Sequence, residues 1–410
     1  MPIVFKGAKV AAYFQTAGVV KFEAMGFLSA VFRDALDAKC SDIHIEPMGN
    51  DVLVRLRHGG SLRELIRVPV GLSERIMQSL RVWAALEAQA PGVPMDGRII
   101  RQELPGYEFR LSLFPVVKGE KAAIRIFSVG TRRFSLDSLQ WNPEQIQLLR
   151  GVISGARGMV LFAGPTGSGK TTAAYCAVAD LYSQSKGQLS VSSVEDPVEY
   201  ALMGMSQAQV DVVKGFTYPV ALKSVLRQDP QVLLIGEIRD PDTAVLAASA
   251  SMAGHLVIST FHAGSSVGVV FRLRQMGLDA FNLGAGLSAV INVRLVKELC
   301  PHCRQQVAPT SVQQRMLPPA WSGDCFESVG CDQCFGSGLK FQSRLPLVEI
   351  FSPDDVVRDA VISGVGVGEL RKLIGACTTF ALWSSTLDLV SQGRIGLQEA
   401  IWAAYSSNVL

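Results

Sequence analysis

A glycine-rich segment near the middle of the chain has the residue types and spacing of a phosphate-binding loop. Residues 164–171 read GPTGSGKT and match the pattern G-x-x-x-x-G-K-[ST] between a predicted strand and a predicted helix. Such loops wrap phosphate in backbone N–H groups, while the lysine reaches the β- and γ-phosphates and the next hydroxyl ligates Mg²⁺. We therefore expect Thr171 to ligate Mg²⁺. The predicted nucleotide-binding residues are Gly164, Pro165, Thr166, Gly167, Ser168, Gly169, Lys170, Thr171 and Thr172.

Carboxylates follow two further predicted strands. Glu237 comes just after the apolar run Val232 to Ile235, at the carboxyl end of a strand, where open α/β sheets place their ligands. A glutamate there can orient or deprotonate water for attack on a γ-phosphate. Glu195 and Glu199 lie in VEDPVEY after another strand. They could form a solvated acidic loop, but beside a phosphate-binding loop we interpret them as groups around Mg²⁺ or water.

Two histidines bracket the predicted strand LVIST. They are His255 and His262. A single histidine is more often structural, but two histidines at the ends of one strand in this setting are candidates for sensing a γ-phosphate. Both interpretations remain open from the sequence.

Four of the eight cysteines form two C-x-x-C pairs. They are Cys300, Cys303, Cys331 and Cys334. Four thiolates suffice for a closed tetrahedral zinc site, and a closed site is structural because it leaves no open position on the metal. Free thiols or a redox pair are the alternative, and His302 and Cys325 are spare candidate ligands nearby.

Composition limits the class of protein. The 410 residues are 48% hydrophobic and 18% charged, so a disordered chain is excluded. The formal charge is only +3, which does not suggest binding to nucleic acid through bulk charge. No stretch reaches the roughly 18 apolar residues of a membrane span. We therefore expect a cytoplasmic protein, and a mean hydropathy of +0.26 points to oligomer contacts or docking on another protein.

Changes in pattern along the chain predict several regions. Residues 1–24 are expected to be a strand-forming N-terminal extension, residues 25–130 a small α+β domain and residues 131–143 a polar linker. Residues 144–410 alternate short apolar strands with helices, which predicts an α/β domain with a parallel sheet. A Pro- and Gly-rich insertion with the cysteine pairs interrupts this domain at about 299–349.

The order of the motifs resembles the type II secretion and type IV pilus ATPase superfamily over about residues 25–350. The motifs are SDIHIEP, the phosphate-binding loop, VEDPVEY, LRQDPQVLLIGEIRD, GHLVISTFHA and the C-x-x-C pairs. The resemblance implies a PAS-like domain, a linker and a RecA-like P-loop ATPase domain. It also implies a homohexamer on the cytoplasmic side of the inner membrane, which uses ATP-driven domain movement to assemble pilins through a membrane platform protein.

The resemblance also assigns roles to residues. Lys170 and Thr171 become Walker A residues, Glu237 the Walker B glutamate, Glu195 to Glu199 the aspartate box, and His255 to His262 the histidine box. The sequence departs from the family pattern at several other positions. These departures are Gln231, Ala253, Phe261, Ala263 and Gly59.

Two arginines are nominated by the resemblance alone. The family places arginines of its N-terminal domain against the nucleotide, and the matching stretch contains Arg110 and Arg125. Guanidinium groups suit this task because they stay charged beside phosphate oxygens. Surface charge on strands is the alternative. The cysteine-bearing insertion is common in the family's assembly ATPases and generally absent from its retraction ATPases, which favours assembly or secretion.

We therefore predict a Mg²⁺-dependent ATPase that powers assembly of a type IV pilus or a type II secretion pseudopilus. A nucleic-acid translocating or DNA-uptake motor is the alternative, but the sequence has no basic cluster interleaved with aromatic residues, so no nucleic-acid partner is expected. A nucleotide-binding scaffold without turnover is disfavoured by the presence of Glu237 and His262.

Overall fold

The chain folds into two compact units, Met1–Arg132 and Arg133–Leu410. The computed structural model describes residues 7–17, 22–58, 61–86, 92–128, 134–155, 157–319, 321–334 and 336–405. Each unit buries its own apolar core. No helix within these described ranges is long and apolar enough to cross a membrane.

The first unit is an antiparallel sheet covered by helices. Its elements are α1 (Ala8–Ala17), α2 (Ala24–Asp37), β1 (Asp42–Met48), β2 (Asp51–His58), β3 (Ser61–Pro69), α3 (Ser73–Trp83), β4 (Met95–Ile100), β5 (Tyr107–Val116) and β6 (Gly119–Ser128). The strands are ordered β3-β2-β1-β6-β5-β4. Alternating apolar residues of the strands, such as Ile43 and Ile45, are buried with Phe27 and Phe32 of α2.

The prediction of a strand-forming extension is wrong for the described part of residues 1–24. Ala8–Ala17 is a helix, and the carboxylate of Asp34 accepts hydrogen bonds from the backbone N–H groups of Lys9 (3.0 Å) and Val10 (2.9 Å). These N–H groups lie in the first turn of α1, where a helix has no internal acceptor for them. Asp34 is distant in sequence, so local pattern could not indicate this cap. Residues 1–6 and 18–21 lie outside the described residues.

The second unit contains the remaining elements. They are α4 (Pro143–Ser154), β7 (Gly158–Ala163), α5 (Lys170–Gln184), β8 (Val191–Glu195), β9 (Ser206–Gln209), α6 (Tyr218–Val225), β10 (Val232–Ile235), α7 (Pro241–Met252), β11 (Leu256–Phe261), α8 (Ser266–Gln275), α9 (Ala280–Gly286), β12 (Leu287–Leu299), β13 (Arg304–Val307), α10 (Ser311–Met316), β14 (Cys325–Ser328), β15 (Leu339–Phe351), α11 (Asp355–Ser363), α12 (Val367–Cys377), α13 (Leu382–Ser391) and α14 (Leu397–Tyr405).

A seven-stranded sheet with order β15-β12-β7-β11-β10-β8-β9 forms the centre of this unit. All neighbouring strands from β12 to β9 are parallel, and only β15 is antiparallel to its neighbour. Along β7, Met159 and Leu161 face one apolar core, whereas Val160 and Phe162 face another. Helices therefore cover both faces, and the predicted α/β class is confirmed.

The end of the predicted linker packs into the second unit. Leu136 is fully buried, Trp141 is nearly so, and the ring of Phe134 lies 5.3 Å from that of Tyr175. These apolar side chains belong to the same core as α4 and α5. Residues 134–143 are thus part of the folded unit, because their four large apolar residues, Phe134, Leu136, Leu139 and Trp141, outweigh the polar residues between them. Residues 131–133 of the predicted linker lie outside the described residues.

Parallel pairing brings the predicted site residues to one edge of the sheet. Ile235 at the end of β10 pairs with Val194 of β8, and Phe261 at the end of β11 pairs with Ala163 of β7. The segments that follow these strands therefore start side by side. They are the glycine-rich loop, VEDPVEY, GEIRD and FHA.

Candidate functional site

The glycine-rich loop connects β7 to α5 in a conformation that needs glycine. Gly164, Gly167 and Gly169 have φ angles of +147°, +76° and +93°. A Cβ on Gly164 would lie 2.4 Å from the carbonyl oxygen of Val293 on β12, and 2.7 Å from Oγ of Ser168. A larger residue would displace the loop from the neighbouring strand.

Lys170 is buried at the start of α5 with only 6% of its surface exposed. Its Nζ donates a hydrogen bond of 2.8 Å to the carbonyl oxygen of Pro165. Burial lowers the pKa of Lys170 to about 8, although the negative charges of Glu237 and Glu199 oppose this shift. A buried ammonium group that donates to a neutral carbonyl is stabilised further when an anion binds beside it.

Ser168 supports the same interpretation. Its side-chain Oγ is buried and has no hydrogen-bond partner within the described ranges. A hydroxyl in this position costs free energy unless a ligand pairs with it. The loop, the ammonium group of Lys170 and this hydroxyl together fit a phosphate group.

Glu237 and His262 meet at the edge of the sheet. Glu237 follows β10, His262 follows β11, and Nε2 of His262 lies 3.3 Å from Oε2 of Glu237. Glu237 also forms an ion pair with Arg239. Burial lowers the pKa of His262, and the positive charge of Lys170 lowers it further. A neutral imidazole beside a carboxylate can therefore orient that carboxylate near Lys170.

Glu195 is placed at this edge but is fully engaged by the protein. Its carboxylate accepts hydrogen bonds from Oγ of Ser193 (2.6 Å), from Nε2 of Gln207 (3.0 Å) and from the hydroxyl of Tyr175. Only 2% of Glu195 is exposed. The contacts join β8 to α5 and β9, which suits a group that holds the acidic segment in place. Glu199 lies close enough to Lys170 for its charge to act on the ammonium group.

His255 does not join the other predicted site residues. It immediately precedes Leu256, the first residue of β11, and its Nδ1 lies 2.7 Å from the carbonyl oxygen of Pro230. Six strand residues lie between it and His262, so seven steps of about 3.3 Å separate the two histidines by roughly 23 Å. The expectation of two histidines near one phosphate is corrected, because residues that bracket a strand lie at its opposite ends.

Arg110 and Arg125 are directly opposite each other on β5 and β6 of the first unit. Nε of Arg125 lies 3.1 Å from Oδ1 of Asp42, and the guanidinium group of Arg110 lies 4.4 Å from the centre of the Phe127 ring. Both are thus on one face of the antiparallel sheet. Their contact with nucleotide stays a prediction.

Sequence reasoning missed Arg294. It lies on β12, is 3% exposed, and its Nη2 donates a hydrogen bond of 2.7 Å to the carbonyl oxygen of Gly264. With Gly164 and His262 it lines a cavity of about 660 Å³. Burial lowers its pKa, which the negative charge of Glu349 opposes. An arginine within the apolar run INVRLV was the signal that could have identified it.

The four cysteines converge next to β12 and β15. Their sulfur atoms all lie within 4.8 Å of one another. The separations are 3.9 Å for Cys300–Cys331, 3.8 Å for Cys303–Cys334 and 3.7 Å for Cys331–Cys334. Tetrahedral zinc with Zn–S bonds of about 2.3 Å requires sulfur separations of roughly 3.8 Å. The four thiols therefore fit zinc.

Neighbouring groups favour the thiolate form of one of these cysteines, the form that binds a metal. Burial raises the pKa of Cys334, but backbone N–H groups of Cys331 and Gly338, 3.1 and 3.2 Å from its sulfur, help to bring that pKa down to about 6. The spare candidates lie apart from the four: His302 is exposed, and Cys325 is buried in a separate apolar cluster.

Comparison with known proteins identifies the family. Residues 23–402 match the family described as Type II/IV secretion system protein, and the chain belongs to it. It is 34% identical over 383 residues to "Type IV pilus assembly ATPase PilB" of Thermus thermophilus, covering 92% of this chain and 42% of the relative. It is 36% identical over 349 residues to "Type II secretion system protein E" of Klebsiella pneumoniae, covering 85% of this chain and 69% of the relative.

Solved structures show the same fold at low sequence identity. The Legionella pneumophila ATPase DotB has a TM-score of 0.66 at 18% identity, covering 92% of this chain and 95% of that one. The pilus retraction motor PilT with bound ADP has a TM-score of 0.59 at 20% identity, covering 91% and 95%. The resemblance to the secretion and pilus ATPase superfamily is thereby confirmed.

Proposed function

We propose that this chain is the ATP-hydrolysing motor subunit that powers assembly of a type IV pilus or a type II secretion pseudopilus. The observation that carries the proposal is the meeting of buried Lys170, in its glycine-rich loop, with the Glu237–His262 pair at one edge of the sheet. The names of the two relatives support the choice of process. The Thermus relative is more than twice as long as the matched part, so the partners of the whole assembly are part of the proposal.

Binding would depend on the loop and its lysine. The backbone N–H groups of the glycine-rich loop and Nζ of Lys170 hold the β- and γ-phosphates. The hydroxyl of Thr171 is the proposed protein ligand of Mg²⁺, a cation that prefers oxygen ligands and neutralises phosphate charge. Phosphate binding would also return the pKa of Lys170 from about 8 towards its ordinary value, since it supplies the missing counter-charge.

Hydrolysis would use Glu237 as the group that receives a proton from water. The water oxygen bonds to the γ-phosphorus, the bond from that phosphorus to the bridging oxygen breaks, and ADP leaves with the electron pair. The proton lost by the water passes to the carboxylate of Glu237. His262, at 3.3 Å, keeps that carboxylate oriented, and Glu195 holds the neighbouring acidic segment.

The proposed assembly is a homohexamer associated with the cytoplasmic side of the inner membrane through a platform protein. The first unit would be the PAS-like domain and the second the RecA-like domain of the family. In this assembly Arg110 and Arg125 would complete the site, because added guanidinium groups stabilise charge on the transferred phosphoryl group. The four-cysteine cluster, which fits a structural zinc ion, supports an assembly motor rather than a retraction motor.

The Glu237→Gln variant tests the assignment of the water-activating group. The amide keeps the shape of the side chain but has no basic oxygen, so ATP binding is expected to stay within about threefold of wild type while hydrolysis falls at least a hundredfold. Binding is measured with fluorescent ATP and turnover by phosphate release. Asp242→Asn on α7 is the control for loss of a nearby carboxylate outside the site. A folded Glu237→Gln variant that hydrolyses ATP at the wild-type rate would contradict the assignment.

A further inference from the structure

The hydroxyl of Tyr218 is buried at the ligand edge of the sheet, and no hydrogen-bond partner for it exists in the described part of the chain. Tyr218 is the first residue of α6. A Cβ on Gly236, just after β10, would lie 2.9 Å from this hydroxyl and 3.2 Å from Cα of Glu195, the last residue of β8. The phenol therefore lies between the ends of the two strands that carry the predicted catalytic carboxylates.

The charges around Tyr218 keep its phenol protonated. Burial raises the pKa of Tyr218 above its ordinary value, the negative charges of Asp196, Glu237 and Glu195 raise it further, and Arg239 only partly opposes them. The hydroxyl is consequently a permanent hydrogen-bond donor at any pH where the protein would work. Several carboxylates surround this hydroxyl. A water molecule suits this position as the acceptor, because it can accept from Tyr218 and donate to a carboxylate at the same time.

A second tyrosine of the same site shows that the lack of a partner is specific to Tyr218. The hydroxyl of Tyr175 donates to the carboxylate of Glu195, so a phenol here can be satisfied by the protein itself. The hydroxyl of Tyr218 is not, although a buried polar group without a partner destabilises a fold. The cost of this unpaired hydroxyl is offset if its hydrogen-bond partner enters the site with the substrate.

We propose that the hydroxyl of Tyr218 donates a hydrogen bond to the water molecule that attacks the γ-phosphate. The inference rests on the proposed ATPase function and adds a catalytic residue to it. The water accepts from Tyr218 and donates to Glu237, which leaves one lone pair free to attack the phosphorus. During the step Glu237 takes the proton of the water and Tyr218 keeps its own. Two fixed contacts orient the nucleophile, and orientation is a large part of phosphoryl-transfer catalysis.

The Tyr218→Phe variant of the full chain tests this inference because it removes one oxygen atom and keeps the ring. We expect kcat to fall about tenfold or more, since one oriented contact to a reacting atom is lost. KM, and ATP affinity measured in the Glu237→Gln background, should change by less than about twofold, because the contact is not made to ATP. The melting temperature should not fall, because an unpaired hydroxyl has been removed from a buried position.

Tyr182→Phe is the matched control, because Tyr182 lies on α5 of the same unit and its ring packs against Gly204. A Tyr218→Phe variant with wild-type kcat would overturn the inference. So would a variant in which kcat, ATP affinity and melting temperature all fall, because that pattern belongs to a structural role. In either case an inactive Glu237→Gln variant would leave the ATPase proposal standing, whereas a wild-type chain without hydrolysis would refute that proposal itself.

Discussion

At the scale of single residues, the state of Lys170 determines how the site receives an anion. Its pKa of about 8 lies below the ordinary value because burial removes the ammonium group from water. A bound triphosphate reverses this effect by supplying negative charge. In the proposed site, the protonation of Lys170 would therefore be linked to nucleotide binding, and the linkage has a definite sign.

The linkage predicts proton uptake on binding at alkaline pH. At pH 7 Lys170 is already protonated in the free protein, so binding of Mg-ADP takes up little or no proton at this residue. At pH 9 most free Lys170 is neutral and must gain a proton, so affinity should weaken by up to about tenfold per pH unit above 8. Titration calorimetry in buffers with different ionisation enthalpies measures the uptake. Equal uptake at pH 7 and pH 9 would show that Lys170 is not the group that pairs with phosphate.

Individual residues also show what the sequence could predict. Spacing within one segment was enough to locate Lys170, and the end of an apolar run was enough to locate Glu237 beside it. The same reasoning failed for His255, because the strand carries it to the opposite edge. It could not anticipate the network around Glu195 or the burial of Arg294, since these depend on contacts between residues far apart in sequence.

At the scale of elements, parallel pairing explains why short motifs converge. The four segments of the site follow β7, β8, β10 and β11, which are neighbours in one sheet. Short apolar runs predicted β7 and β10, which are almost wholly apolar, whereas the predicted strands β8 and β11 also contain Ser or Thr. It did not predict α1, which is capped by Asp34 of a later helix, or the burial of Leu136 in the expected linker.

The four-cysteine cluster is the element whose prediction concerns a metal. The purified protein is expected to contain about one zinc ion per chain, because four thiols at tetrahedral spacing can form a closed zinc site. Elemental analysis measures it. Replacing Cys331 and Cys334 with serine should abolish the bound zinc and lower the melting temperature, whereas Cys377→Ser, outside the cluster, should do neither. Reduced, folded wild-type protein without metal would contradict the assignment.

At the scale of the whole molecule, the two units carry different parts of the proposed chemistry. Lys170 and Glu237 lie in the second unit, while Arg110 and Arg125 lie in the first. If the arginines complete the site in an oligomer, activity per chain must rise with protein concentration until assembly is complete. In the proposed model, binding of nucleotide to the glycine-rich loop would need no such assembly.

Substitution of the two arginines tests this division. Arg110→Ala and Arg125→Ala should each lower the maximal rate at least tenfold with little change in ATP affinity, because charge stabilisation is greatest in the transition state. Arg67→Ala is the control, since Arg67 is an exposed arginine of the same unit that pairs with Glu64. Rates are measured across a range of protein concentrations. Wild-type rates for both variants would show that the first unit does not supply these groups.

ATP hydrolysis by the wild-type chain and by its Lys170→Ala variant is the measurement that tests the central claim most directly. The comparison includes Lys214→Ala, which changes a surface lysine that forms an ion pair with Asp211. Steady-state phosphate release in the presence of Mg²⁺ should be readily detected for wild type and Lys214→Ala. It should fall at least a hundredfold for Lys170→Ala, because the buried ammonium group that is proposed to hold the β- and γ-phosphates is gone. Equal hydrolysis by a folded Lys170→Ala variant, or none by the wild-type chain under assembling conditions, would contradict the account.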